Sequence, residues 1–99
     1  MSKFGLPSKT INEILNYFQN KKEIEKVVIY GSRTKNSYHN GSDIDFAVWL
    51  KSGLSASQIQ SELDDLPTPY KFDVLNYNSL EHEGMKESID SEGIIFYLK

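Results

Sequence analysis

Three aspartates and one Gly-Ser pair could do chemistry in this sequence. Asp43 and Asp45 flank Ile44 at the head of the apolar run DIDFAVWL. Aspartate is a poor strand former. Two of them on one face of a strand, with α-carbons roughly 6.5–7 Å apart, therefore call for a physical reason. Asp73 lies in another run, YKFDVLNY, on the face opposite Phe72 and Val74. If the two runs are neighbours in a sheet, Asp73 stands about 4.8 Å across from Asp45, and three carboxylates converge on one polar surface. Like charges so placed raise one another's pKa. A divalent cation relieves the conflict: Mg²⁺ prefers oxygen ligands and commonly takes one or two carboxylates together with phosphate oxygens. Two such ions about 3.5–4 Å apart can activate an attacking oxygen and neutralise a leaving one.

Gly31 and Ser32 end the apolar run VVIY, and ten residues separate them from Asp43. Glycine lets a phosphate approach the main chain, and amides at the head of a following helical turn can form an anion site. Ser32 adds a hydroxyl, while Arg33 and Lys35 add positive charge. One end of the loop could grip phosphates and the other could hold the ions bridging to them, which is the arrangement for in-line phosphoryl or nucleotidyl transfer.

Blander readings stand beside these. Strand-edge aspartates can serve only to block aggregation, most Gly-Ser pairs are plain turns, and Arg33 could simply be solvated. His39 and His82 have no partner at ligand spacing and read as exposed histidines. Trp49 shares the carboxylates' face and reads as a packing or partner-contact residue before a base-stacking one. The lysines between positions 21 and 26 read as a solvated face.

The elements that must position these groups alternate. Ile11, Ile14, Leu15 and Phe18 fall at helical spacing and predict a first helix over Thr10–Lys21, with Thr10 and Glu13 as a capping box. Val27–Tyr30 is β-branched and predicts a buried strand. In the strand Asp43–Leu50, residues Ile44, Phe46, Val48 and Leu50 face one way, and Asp43, Asp45, Ala47 and Trp49 the other. Ser55 and Gln58 have capping-box spacing ahead of a second amphipathic helix. A third strand over Tyr70–Tyr77, a helix over Ser79–Ser91 ended by a left-handed Gly93, and a closing strand in IIFYL complete the order. This order predicts an α+β domain, with a small mixed sheet and helices packed on one side.

A length of 99 residues predicts a single domain, 1–99, with a limited core. The absence of cysteine excludes disulfides, thiolate chemistry and Cys-based zinc sites. The net charge of −3 argues against direct nucleic-acid binding. The N-terminus has no apolar leader and no run approaches membrane-spanning length, so a cytoplasmic protein is expected.

GSRTKNSYHNGSDID resembles the signature of the DNA polymerase β-like nucleotidyltransferases, Gly-Ser followed after ten residues by Asp-x-Asp. It is most similar to the minimal nucleotidyltransferases (MNT) of prokaryotes. KFDVLN supplies an aspartate where that family has its third carboxylate, and SEGIIFYL resembles its closing strand; the likeness runs from Ile11 to Leu98. The resemblance implies the polymerase β-like fold. It implies Asp43, Asp45 and Asp73 as catalytic, metal-binding residues, with Asp73 also the base. It implies Gly31 and Ser32, assisted by Ser42, as the triphosphate grip, and Arg33, by its charge beside that turn, completes the expected nucleotide-binding set. Two Mg²⁺ ions and ATP or another NTP follow, with transfer of AMP to a tyrosine of a helical HEPN-domain toxin. The chain would then be the antitoxin of a type VII-like pair. The alternative is a non-catalytic module that neutralises or assists the HEPN partner by binding alone. A metal-using glycosyltransferase is a third option, disfavoured by the small size and the Gly-Ser spacing. Asn36 departs from the glycine many relatives carry near that position, and the segment Asn36–Gly41 has no assigned task.

Overall fold

The computed structural model describes residues 4–35 and 43–99. The expectations for Ser42, Asn36, His39 and the 36–41 segment lie outside the described residues. In chain order the elements are helix α1 (Ser8–Gln19), strand β1 (Ile24–Tyr30), a 3₁₀ turn (Ser32–Thr34), β2 (Ile44–Leu50), α2 (Ala56–Asp64), β3 (Phe72–Asn76), a second 3₁₀ turn (Tyr77–Ser79), α3 (Glu83–Glu92) and β4 (Ile94–Leu98).

The sheet order is β3-β2-β1-β4, with β1 antiparallel to β2 and β4, and β2 parallel to β3. Parallel neighbours need a crossover, and α2 provides it. Ile44, Phe46, Val48, Phe72 and Val74 line one face by strand alternation. They pack with Ile14 and Phe18 of α1 and Ile59 and Leu63 of α2. Phe18 sits edge-on to Phe46, with ring centroids 5.4 Å apart, at the centre of that core. Gln60 of α2 accepts a hydrogen bond from the Val74 amide at 2.9 Å, so a side chain satisfies a backbone donor of the edge strand β3.

The mixed sheet and α+β class are as the sequence predicts, but the helices do not share one side. Ile89 of α3 packs on Val28 and Ala47, the face opposite α1 and α2 and the one that carries Asp45. The alternation of β1 and β2 explains this: Val28 and Ala47 make a second apolar strip between polar ends, and α3 covers it. Trp49 belongs to the same strip, stacked on Tyr77 at 4.4 Å with the Lys26 ammonium 4.7 Å above its ring, so its role here is packing.

Several boundaries also differ. α1 begins at Ser8, because Pro7 (φ −62°, ψ 152°) is the last extended residue; Thr10 is buried inside the helix and caps nothing. β1 starts at Ile24, since pairing on both sides carries its polar residues along. Ser55 does cap α2, accepting from the Gln58 amide at 3.1 Å, while the Gln58 side chain turns to Glu62 instead. α3 starts at Glu83 because His82 caps it, its Nδ1 accepting from the Met85 amide at 3.0 Å. Gly93 has φ −70° and is not left-handed. Its need is space: a Cβ there would collide with the Ile89 carbonyl and a Val28 methyl.

Gly93→Ala should therefore cost about 1–3 kcal/mol by overpacking the α3–sheet contact. Urea unfolding would show it as a lower midpoint with an unchanged slope; an unchanged midpoint would refute the tight contact.

Candidate active site

Asp45 lies on β2 directly opposite Asp73 on β3 and, on its other side, opposite Tyr30 on β1. The parallel register thus delivers the sequence expectation that these two carboxylates share a sheet face on neighbouring strands. Asp43 is exposed just ahead of β2, with its charge close enough to act on Asp45.

Gly31 follows Tyr30 with φ +84°, a backbone conformation that side chains disfavour. A Cβ at this position would stand 2.5 Å from Asp45 Oδ2. The Gly-Ser turn and the carboxylate are therefore in intimate contact, although thirteen residues lie between Gly31 and Asp45 in sequence. The 3₁₀ turn that follows is closed by Thr34 Oγ1, which donates to the Gly31 carbonyl at 2.7 Å, and by the Lys35 amide bonded to the Ser32 carbonyl. Ser32 opens that turn and is partly exposed.

Arg33 turns inward. It is 3% exposed, and its Nη1 donates to the Phe4 carbonyl at 3.0 Å while the guanidinium lies 5.2 Å over the Tyr70 ring. Lys35 remains half-exposed and pairs with Glu92 of α3 at 2.7 Å.

Burial, together with the charges of Asp73 and Asp43, pushes the Asp45 carboxyl up to about 6 against the pull of Arg33. Burial and the charges of Asp45 and Asp73 push the Tyr30 phenol up to about 12, so it stays neutral beside them. Tyr30 was not singled out by sequence reasoning. The signal was there, since the residue before Gly31 falls opposite Asp45 once the two strands form an antiparallel pair.

The donor set is all carboxylate oxygen, and it fits a hard divalent cation such as Mg²⁺. Among the described residues, no three acidic or histidine side chains already stand at ligand spacing. His82 is engaged as a helix cap.

The comparisons with known proteins bear on the family and the fold. The model of the family described as polymerase beta, nucleotidyltransferase matches residues 12–99. No curated protein matches the chain in sequence. Among solved structures, one chain of a toxin–antitoxin complex with AMP-PNP superposes with a TM-score of 0.65 at 21% identity, over 95% of this chain and 75% of that one. The MntA–HepT toxin–antitoxin gives 0.69 at 15% identity, over 94% and 74%. A complex of tri-AMPylated Shewanella oneidensis HEPN toxin with its MNT antitoxin gives 0.67 at 16% identity, over 92% and 71%. At such identities these likenesses establish the fold. Among the described residues no helix is long and apolar enough to cross a membrane.

The raised Asp45 value gives a pH dependence for metal-free protein. The folded state binds this proton more tightly than an ordinary aspartate at 3.8. Ionising Asp45 therefore costs stability that is absent below about pH 4, grows between pH 4 and 6 and is complete above about pH 6. With chelator present, Asp45→Asn should melt higher than wild type at pH 7.5, and the gap should close by pH 4. Equal melting temperatures at pH 7.5 would show that the carboxylate is not disfavoured in the fold.

Proposed function

The chain belongs to the polymerase beta nucleotidyltransferase family, and we propose that it moves AMP from ATP to a tyrosine of a HEPN-domain partner and acts in the cytoplasm as that partner's antitoxin. The observation that carries the reading is the register of Asp45 with Asp73 beside the positive-φ Gly31. Support for the acceptor comes from the neighbour in which a HEPN toxin is AMPylated while bound to its MNT antitoxin, and support for the donor from the neighbour with AMP-PNP.

In this reading Gly31 and Ser32, assisted by Ser42, hold the triphosphate. Asp43 and Asp45 hold Mg²⁺, and Asp73 is the third ligand. When bound, the cation neutralises charge on the phosphates and on the leaving group. The acceptor hydroxyl oxygen bonds to the α-phosphorus, the bond from that phosphorus to the bridging oxygen breaks, and pyrophosphate leaves with the electron pair. Asp73, on the strand beside Asp45, takes the hydroxyl proton. The neutral Tyr30 phenol stands beside Asp45 without adding a further negative charge to the three carboxylates.

The test is incubation with Mg²⁺, ATP labelled at the α-phosphate and the HEPN-domain protein. Label should enter the partner, and Asp43→Asn should cut incorporation by about a hundredfold or more, as expected when several kcal/mol of charge stabilisation is lost. No incorporation, or incorporation unchanged in Asp43→Asn, would sink the proposal. If Asp43→Asn still neutralises the partner fully at equal concentration, binding alone carries the biological role.

A further inference from the structure

The inward turn of Arg33 has a partner set that includes a strained piece of backbone. Phe4 has φ +57° and Gly5 has φ +72°. A non-glycine residue held in the left-handed region costs on the order of 1 kcal/mol and persists only where its surroundings over-determine it. Three contacts do so here. Arg33 Nη1 holds the Phe4 carbonyl at 3.0 Å, the Phe4 ring lies 6.2 Å from Phe96 of β4, and Leu6 is fully buried in the main core. The same guanidinium lies over Tyr70, just ahead of β3, the strand that carries Asp73. Arg33 is two residues from Gly31, in the turn closed by the Thr34 hydroxyl and the Lys35 amide.

The family match begins at residue 12. The Phe4–Leu6 segment therefore stands ahead of the matched core, yet it receives the side chain of a residue inside the nucleotide loop. A planar guanidinium can donate along one edge while its face lies on a ring. One buried side chain thus joins the N-terminal turn, the approach to β3 and the Gly-Ser turn.

We propose that Arg33 is a positioning residue: from inside the protein it fixes the Gly31–Ser32 turn against the Phe4–Gly5 turn and Tyr70, and the segment ahead of the family core is thereby part of the support of the site. The proposal rests on reading that turn as the nucleotide grip. It differs from the sequence expectation that Arg33 itself meets phosphate.

Hydrogen–deuterium exchange on the full chain without nucleotide tests the support directly. Arg33→Lys keeps the charge but loses the planar fork. It should raise exchange about tenfold in both the Phe4–Leu6 and the Gly31–Lys35 segments, while the interior of β1 and β2 stays protected. Tyr70→Leu, which removes only the ring face, should raise both in the same direction by a smaller factor. This second variant keeps the test decisive if Arg33→Lys does not fold. MgATP affinity, measured by calorimetry, should fall in Arg33→Lys and Arg33→Gln with the wild-type dependence on ionic strength retained. Wild-type exchange at Phe4–Leu6 in both Arg33→Lys and Tyr70→Leu would overturn the proposal. So would a shallower salt dependence in Arg33→Gln, the mark of a lost direct phosphate contact. If wild type binds no MgATP, the nucleotide reading fails, while the exchange experiment still decides whether Arg33 supports the turn.

Discussion

Parallel pairing of β2 with β3 puts Asp45 opposite Asp73, and the rest of the molecule can be understood as what makes that pairing tolerable. Two carboxylates side by side on a sheet repel, and both are poor strand formers. The opposing contribution lies on the other face. Ile44, Phe46, Val48, Phe72 and Val74 alternate with the polar residues and are buried beneath α1 and α2. Because side chains alternate at period two, a one-residue slip of either strand would expose its apolar set. The hydrophobic core thus enforces the register that holds the charges together, and strain on one face is maintained by burial on the other.

The carboxylate face is not left entirely open. α3 lies across Val28 and Ala47, two register positions along the sheet from Tyr30 and Asp45 and on the same face. That helix divides the face into an acidic end and an aromatic end, where Trp49 stacks on Tyr77. Gly93 permits the close approach at the helix's end, and the Lys35–Glu92 pair links the helix to the residue after the 3₁₀ turn. Exposed ion pairs of this kind add little stability. Their significance here is spatial: the end of α3 and the Gly-Ser turn are adjacent.

Much of this was legible in the sequence because it follows from alternation and spacing. DIDFAVWL fixes which residues share a face, and FDV repeats the pattern one strand on, so the meeting of Asp45 with Asp73 required only that the strands be neighbours. The side on which α3 packs was not legible. Its apolar content is low, and Val28 and Ala47 look like interior positions of strands already accounted for by the other face. The capping of α1 misled for a local reason. Thr10 and Glu13 have the right spacing, but Pro7 begins the helix earlier, and a buried threonine cannot also be its cap. His82 as a cap carries almost no sequence signal, since histidine is not among the favoured N-cap residues.

Arg33 shows how folding changes the reading of a charge. A cation beside a Gly-Ser turn suggests an anion partner, because in water a guanidinium gains most from phosphate or carboxylate. Folding changes the reference. With Leu6 buried and Phe4 in the left-handed region, the half-buried Phe4 carbonyl gains from a protein donor, since a carbonyl withdrawn from water without one costs roughly 1–3 kcal/mol. The arginine supplies that donor while its face rests on Tyr70 and its charge still opposes the ionisation penalty at Asp45. It can therefore favour the anionic form of the site from beneath, without leaving the core to meet a ligand. The nearby lysine, Lys35, has the opposite character: it pairs with the exposed acid Glu92, and its charge remains at the surface.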